Sequence, residues 1–384
     1  MSTQQSTLNV LLVEDSPSDA HILRMELDEL EGEPIVLRHV DRLGAALAEF
    51  EKSRFDVVLL DLGLPDSQGI ETLTTLRGQV EEVAIVVLTG LNDEAIGLEA
   101  IRKGAQDYLV KGQIHGELLF RCVRYAAERN RLELTIRRTE EEFRIARRIQ
   151  TSLFPDAAPQ APGLDIAGRS LPAEATGGDY FDYFSLAGGQ QAIVVSDVCG
   201  HGYGPAILMA EVRAYLRAFA ETTDDIAEIL TKTNRLLTRD SPDERFAALF
   251  CASIAPDCRS LAFAGAGDRA FLFHADGSLD RLRATGLPLG IDPDAEVGRE
   301  SVDSLSAGDV LLLLTDGLIE TLGEDGIFGE KRICDVVVQN RHASADAIID
   351  ALFQASAEHG RGEAQRDDYT AAVVKILDVG GGVG

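Results

Sequence analysis

The stretch Asp56–Leu73, "DVVLLDLGLPDSQGIETL", holds an apolar run fit for a buried strand, ends that run in a carboxylate at Asp61, and then turns into an amphipathic segment. Such a run bounded by turn residues reads as a strand, and the apolar spacing beyond it reads as a helix. The same unit recurs on either side. Val10–Val13, Ile35–Val40, Phe55–Leu60, Val83–Leu88 and Tyr108–Val110 are each followed by an amphipathic stretch. Five strand–helix units predict an α/β fold, a doubly wound (flavodoxin-like) five-stranded parallel sheet with helices on both faces. Sheets of this kind carry their chemistry at the carboxyl ends of the strands.

The residues at those ends are Glu14 and Asp15 after the first strand, Asp61 after the third, Thr89 after the fourth and Lys111 after the fifth. Three carboxylates suit a hard divalent ion such as Mg²⁺, which neutralises an incoming phosphoryl group. Asp61 is then placed to attack phosphorus, Lys111 to pair with the transferred oxygens and Thr89 to hydrogen-bond one of them.

On "LLVEDSPSDA", "DVVLLDLGLPDSQGIETL", "IVVLTG" and "DYLVKG", residues 8–115 resemble the response-regulator receiver domain. The resemblance implies phosphorylation of Asp61 by a histidine kinase and Mg²⁺ held by Glu14, Asp15, Asp61 and the backbone at Leu62 and Gly63. It also implies that Thr89 and Tyr108 form a switch pair. Many receivers have proline after the lysine, where this chain has Gly112.

A second strand-like run ends the same way: "LLLLTDGLIET", Leu311–Thr321, stops at Asp316. A buried charge is costly unless it is paired or metal-bound, so something at that strand end must favour the ionised form. Around it, strand-like runs pair through "AGGQQ" (187–191) and "ADGS" (275–278), with helical patterns near 204–220, 224–239 and 344–358. Hairpins with separate helices predict a β-sandwich flanked by helices. Asp179 in "GGDYFDYF", Asp197 in "IVVSDVCGHG", Asp316, and Asp367 and Asp368 in "RDDYTAAVV" all fall beside strand ends. Aspartates without histidine or thiol partners suit Mg²⁺ or Mn²⁺ rather than zinc. Two such ions bridging one water lower its pKa and set a hydroxide in line with phosphorus. His201 in "CGHG" reads more readily as a structural turn residue than as a general acid.

These motifs, with "ARRIQTSLFP" before them and "GLPLGI" at Gly286–Ile291, resemble the PPM family of metal-dependent serine/threonine phosphatases, in its bacterial SpoIIE and RsbU branch, over about residues 145–378. The resemblance implies that Asp179 and Asp197 share two central metals (Mn²⁺ or Mg²⁺) with the Val198 carbonyl, and that Asp316 and Asp367 complete them, Asp368 being the weaker of its pair. Many relatives have a histidine where this chain has Ala266 in "FAGAGD".

Between the blocks, positions 118, 122, 125, 129, 132, 136, 139, 143, 146, 150 and 153 follow four–three steps and are mostly apolar. They predict a helical seam of coiled-coil type, hence a homodimer, with Pro155 ending the helix. Charge divides the chain likewise. Residues 1–112 carry 9 Lys+Arg against 21 Asp+Glu and residues 154–384 carry 18 against 37, while the connector carries 9 arginines against 6 glutamates. The expected domains are therefore 8–115, a helical linker 116–154, a phosphatase domain 155–378, and a glycine-rich disordered tail 379–384.

A net charge of −28 argues against nucleic acid as a partner. Five scattered cysteines without a CxxC pair read as reduced packing residues. No apolar run reaches the roughly 18 to 20 residues that span a bilayer, and no basic start precedes an apolar segment, which predicts a cytoplasmic protein without a membrane partner. The expected function is a response regulator whose output is a protein phosphatase, acting on a phosphorylated STAS-type anti-sigma-factor antagonist in a partner-switching pathway. The alternative is a non-catalytic adaptor with the same domains.

Overall fold

The runs that end in chemistry become strands, and the sheet they build belongs to the first of two units, Met1–Glu141 and Glu142–Gly384. The computed structural model describes residues 7–28, 35–90, 94–200, 202–240, 245–361 and 363–378. His201 and the tail 379–384 lie outside the described residues. The first unit runs Leu8–Val13 (β1), Pro17–Asp28 (α1), Ile35–Val40 (β2), Leu43–Phe50 (α2), Val57–Asp61 (β3), Gly63–Leu64 (β4), Ser67–Gln68 (β5), Ile70–Gln79 (α3), Ala84–Thr89 (β6), Glu94–Arg102 (α4) and Asp107–Val110 (β7), and the helix Gly116–Thr151 (α5) begins in it and ends in the second. The short β4 and β5 pair with each other, and the main sheet has the order β2-β1-β3-β6-β7. All its pairings are parallel.

Every residue of β3 and β6 is buried, because helices cover both faces. Leu23 of α1 and Leu119 and Val123 of α5 close one face, while Ala46, Leu73 and Ala100 of α2, α3 and α4 close the other. Each large aliphatic side chain buried this way contributes roughly 1.5–3 kcal/mol.

The connector is helical throughout, yet its expected seam does not run along one environment. Cys122 is buried in the parallel-sheet core beside Leu119, Val123 and Ala126. Tyr125, Leu132 and Ile136 are 65%, 58% and 57% exposed. Gln150 is buried in the second unit, where Leu153 and Phe154 pack against the core. Periodicity shows which residues share a helix stripe, not what covers it.

The second unit runs Leu164–Leu171 (β8), Tyr180–Ser185 (β9), Gln191–Val198 (β10), Tyr203–Ala220 (α6), Ile226–Asp240 (α7), Ala247–Ile254 (β11), Leu261–Ala266 (β12), Ala270–Phe273 (β13), Leu279–Leu282 (β14), Glu300–Val302 (β15), Val310–Leu314 (β16), Asp316–Glu320 (α8), Leu322–Gly323 (β17), Gly326–Ile327 (β18), Gly329–Asn340 (α9), Ala345–His359 (α10) and Tyr369–Ile376 (β19). Two five-stranded sheets, β15-β12-β11-β10-β9 and β14-β13-β16-β19-β8, form the sandwich, and β17 pairs with β18. Ile193, Val195 and Phe250 of one sheet meet Leu272, Leu311 and Val374 of the other in a shared core. Outside that core, α6 and α7 cover the first sheet and α9 and α10 the second. The turns at 187–191 and 275–278 make the expected hairpins β9–β10 and β13–β14. The five cysteines are free. Among the described residues no helix is long and apolar enough to cross a membrane.

Candidate active sites

In the first unit the strand ends converge. Glu14, Asp15 and Asp61 each offer a carboxylate oxygen within 4.8 Å of the others. Lys111 enters from the end of β7, its Nζ 2.7 Å from Glu14 Oε2 and 3.1 Å from Asp61 Oδ2, with Asp19 Oδ2 at 3.4 Å. Burial lifts Glu14 above the ordinary glutamate value, and the Asp61 charge adds to this, although hydrogen bonds from Lys111 and the Ser16 N–H pull it down. Burial works against the Lys111 charge, but Glu14 and Asp61 outweigh it and hold the ammonium above its usual value. Thr89 is buried at the end of β6, its hydroxyl 3.4 Å from the Leu109 carbonyl. Asp61, Gly63, Thr89 and Lys111 line one shallow pocket. The donor set fits a hard divalent ion: two of its three carboxylates are buried, and oxygen is its only ligand type.

Tyr108 of the expected switch pair packs over α4. Its ring lies so close to Gly97 that an added Cβ would stand 2.5 Å from Cδ2.

In the second unit Asp179 immediately precedes β9, Asp197 lies near the end of β10, Asp316 opens α8 one residue after β16, and Asp367 and Asp368 precede β19. Asp179 is buried, and its Oδ2 accepts the Thr315 hydroxyl at 2.8 Å. Burial, then the Asp197 and Asp368 charges, push the Asp179 carboxyl well above the usual range against the hydrogen bonds from Thr370 and Thr315. Burial and the charges of Asp316, Asp367, Asp368 and Asp268 push Asp197 up to about 7. Asp316 is raised by burial and by Glu320. Burial and converging carboxylate charge, in a set made only of oxygen donors, fit divalent cations that replace protons. Val198, whose N–H points to the Gly178 carbonyl at 3.4 Å, adjoins Asp197 in the same region.

Asp367 and Asp368 separate by environment. Asp368 is buried and committed to backbone: its Oδ1 accepts the Ala173 N–H at 2.8 Å and its Oδ2 the Asp179 N–H at 3.3 Å. Asp367 is exposed, and its Oδ1 accepts the Asp368 N–H at 2.8 Å. Asp368 thus holds the loop that carries Asp179, while Asp367 presents its carboxylate at the surface.

Three residues of this region escaped the sequence reading. Thr315 orients Asp179; its signal was a hydroxyl ending the buried run in "LLLLTDGLIET". Asp268 and Arg269 lie in the turn between β12 and β13. Burial, opposed by the Arg269 backbone and charge, raises Asp268 to about 6 with a contribution from Asp316. The Arg269 guanidinium lowers both Asp268 and Asp316 electrostatically. Ala270 pairs with Leu313, so this turn continues the register toward Thr315 and Asp316. Nearby, the buried Asp182 takes a bidentate contact from Arg217, Nε at 2.6 Å and Nη2 at 2.7 Å, and the Tyr180 hydroxyl as well.

Residues 187–377 match the family model for stage II sporulation protein E (SpoIIE), and residues 10–122 match the response regulator receiver domain. The chain is 26% identical over 216 residues to the phosphoserine phosphatase RsbU of Bacillus subtilis (strain 168), covering 56% of this chain and 64% of RsbU. It is 28% identical over 262 residues to protein IcfG of Synechocystis sp., covering 61% of this chain and 41% of IcfG. The first unit is 38% identical over 110 residues to the KDP operon transcriptional regulatory protein KdpE of Escherichia coli (strain K12), covering 29% of this chain and 47% of KdpE. The chain thus spans less than two thirds of the length of each of these relatives. In fold it is similar to the SiaA-PP2C domain of Pseudomonas aeruginosa, with a TM-score of 0.55 and 23% identity, covering 63% of this chain and 98% of that domain. The chain joins a response-regulator receiver domain to a phosphatase domain of the SpoIIE type within the PPM family.

Proposed function

We propose that a histidine kinase phosphorylates the receiver at Asp61, and that this controls a metal-dependent protein serine/threonine phosphatase built on Asp179, Asp197, Asp316 and Asp367. The carrying observation is the convergence of carboxylates at these strand ends: burial and the Asp197 and Asp368 charges raise Asp179, and burial and the Asp316, Asp367 and Asp368 charges raise Asp197. When two Mn²⁺ or Mg²⁺ ions are bound there, they supply a water of lowered pKa as nucleophile. Thr315 orients Asp179 by its hydrogen bond, Asp368 fixes the loop beneath it, and Arg269 offers a guanidinium for the oxygens of a phosphoryl group. In the receiver, Glu14, Asp15 and Asp61 hold Mg²⁺ while Lys111 balances the phosphoryl charge.

The similarity to RsbU, named a phosphoserine phosphatase, supports phosphoserine or phosphothreonine on a STAS-type anti-sigma-factor antagonist as substrate, in a partner-switching pathway. A groove of about 500 Å³ beside Asp367, lined by Leu171, Ile327, Phe353 and Arg366 among others, suits a protein substrate rather than a small ester. The exposed Tyr125, Leu132 and Ile136 on α5 supply a face for a second copy of the chain. The proposed domain limits are 8–115 for the receiver, 116–154 for the helical linker and 155–378 for the phosphatase domain. The test is phosphate release from a serine-phosphorylated STAS protein with Mn²⁺ or with chelator, with and without a small phosphodonor for Asp61. Equal release in chelator overturns the metal assignment, and no release in Mn²⁺ overturns the substrate.

A further inference from the structure

The last turn of α5 ends inside the second unit. Gln150 is 8% exposed, and its amide grips one peptide unit from both sides. Nε2 donates to the Gly177 carbonyl at 2.6 Å, and the Gly177 N–H donates to Oε1 at 3.2 Å. Gly177 lies two residues before Asp179. It also lies against the Asp368 carboxylate so closely that an added Cβ would stand 1.9 Å from Oδ2. Segment 173–179 is therefore held at three points, by Asp368 on the Ala173 and Asp179 N–H groups and by Gln150 on Gly177.

Gly177 and Gly178 pack closely on Asp368 and Val198, yet the side of the clamp toward α5 is open. A cleft of about 330 Å³ adjoins the clamp, bounded by Arg147, Gln150, Phe154, Gly177, Asp179 and Asp368. Open space on that side leaves the loop room to relax. Buried peptide groups require partners, so losing the clamp frees Gly177 to seek others by moving into that space. Asp179 would move with it.

We propose that Gln150 is a positioning residue for Asp179, so that metal retention by the phosphatase domain depends on how the last turn of α5 is seated. The inference rests on the two-metal reading of the acidic pocket. It also gives the 36-residue helix Gly116–Thr151 a definite point of action. Its early turns are fixed in the receiver core by Leu119 and Val123, and rotation or lifting of its last turn withdraws both clamp bonds at once.

The experiment uses the full chain in an Asp15→Asn background, which silences the receiver's own cation site. Mn²⁺ binding is followed by electron paramagnetic resonance and calorimetry, and turnover is measured against Mn²⁺ concentration. Gln150→Met, which keeps the volume and loses both bonds, should weaken Mn²⁺ binding about tenfold while kcat recovers at saturating Mn²⁺. Ile149→Ala, at the exposed neighbouring position, should bind as the parent does. If Gln150→Met fails to fold by circular dichroism, Gln150→Glu replaces it: this variant retains an acceptor for the Gly177 N–H, loses the donor, and should also bind less tightly. Parent-like Mn²⁺ affinity in a folded Gln150 variant, or an equal loss in Ile149→Ala, overturns the positioning role alone. Absence of Mn²⁺ binding by the parent overturns the metal reading and this inference with it.

Discussion

The two acidic pockets treat the same electrostatic problem in opposite ways. In the receiver, Lys111 reaches Glu14 and Asp61 within 3.1 Å, so the fold carries its own counter-charge. In the phosphatase domain burial raises both Asp179 and Asp197, with the Asp197 and Asp368 charges adding to the first and the Asp316, Asp367 and Asp368 charges to the second. Asp182, three residues from Asp179, by contrast has Arg217 fully engaged. The receiver pocket thus holds an ammonium among its carboxylates, whereas the second pocket gathers aspartates whose carboxyls burial and one another's charges raise.

The sharpest way to break this contrast is Asp179→Asn. It should lower phosphate release by about a hundredfold or more, because a metal-supported water loses its placement. In chelator the same variant should melt at a higher temperature than the parent, since a raised, repelled carboxyl has been removed. A lower melting temperature in chelator would mean that Asp179 is satisfied as it stands.

Next in size is Lys111→Met. With the ammonium gone, buried Glu14 faces Asp61 uncompensated, and the receiver should lose about 2–3 kcal/mol, the cost of breaking a largely buried pair. Denaturant unfolding reads this as an earlier receiver transition, partly restored by Mg²⁺. No shift would show that solvent already screens the pair.

Arg269→Ala tests whether the phosphatase pocket borrows any cation from its rim. The expected effect is a rise in KM for the phosphoprotein of about tenfold, equal to about 1.4 kcal/mol of lost phosphate contact, with kcat changed less. A change in kcat alone would place Arg269 with the metals rather than with the substrate.

The smallest effect concerns a case between the two pockets. Asp309 is buried, and His274 stands 3.5 Å from it and 3.0 Å from Asp280. The hydrogen bond to Asp280 leads, with the Asp309 and Asp280 charges behind it, in raising His274 above its ordinary 6.5 against burial. A raised folded pKa means that the pairing stabilises fully below the unfolded value and is lost as pH rises through the folded one. Stability should thus decline modestly above pH 6.5, by no more than about 1 kcal/mol for a pair this accessible, and His274→Ala should flatten the profile. An unchanged profile in that variant would remove His274 from the account.

The parallel sheet and the sandwich were legible because hydrophobic runs, turn residues and helix periods are local. Glu14, Asp61, Thr89 and Lys111 could be found because each ends an apolar strand. What local pattern could not show is partnership across the chain. Thr315 reaches Asp179 over 136 positions, and Asp368 reaches Ala173 over 195. The four–three spacing of α5 placed Gln150 on a stripe with Tyr125 and Ile136, but three different surroundings claim that stripe. Asp268 and Arg269 sit in a turn whose nearness to Asp316 follows from the β13–β16 register, which requires knowing the strand order.

The floor under Tyr108 has a last consequence. That ring rests on a hydrogen atom of Gly97, where one methyl group would occupy the same space. The resting place of the aromatic is thus defined by a missing carbon. A chain with alanine at 97 would evict the ring whatever the state of Asp61, a genetic wedge that separates the posture of the receiver from its chemical signal.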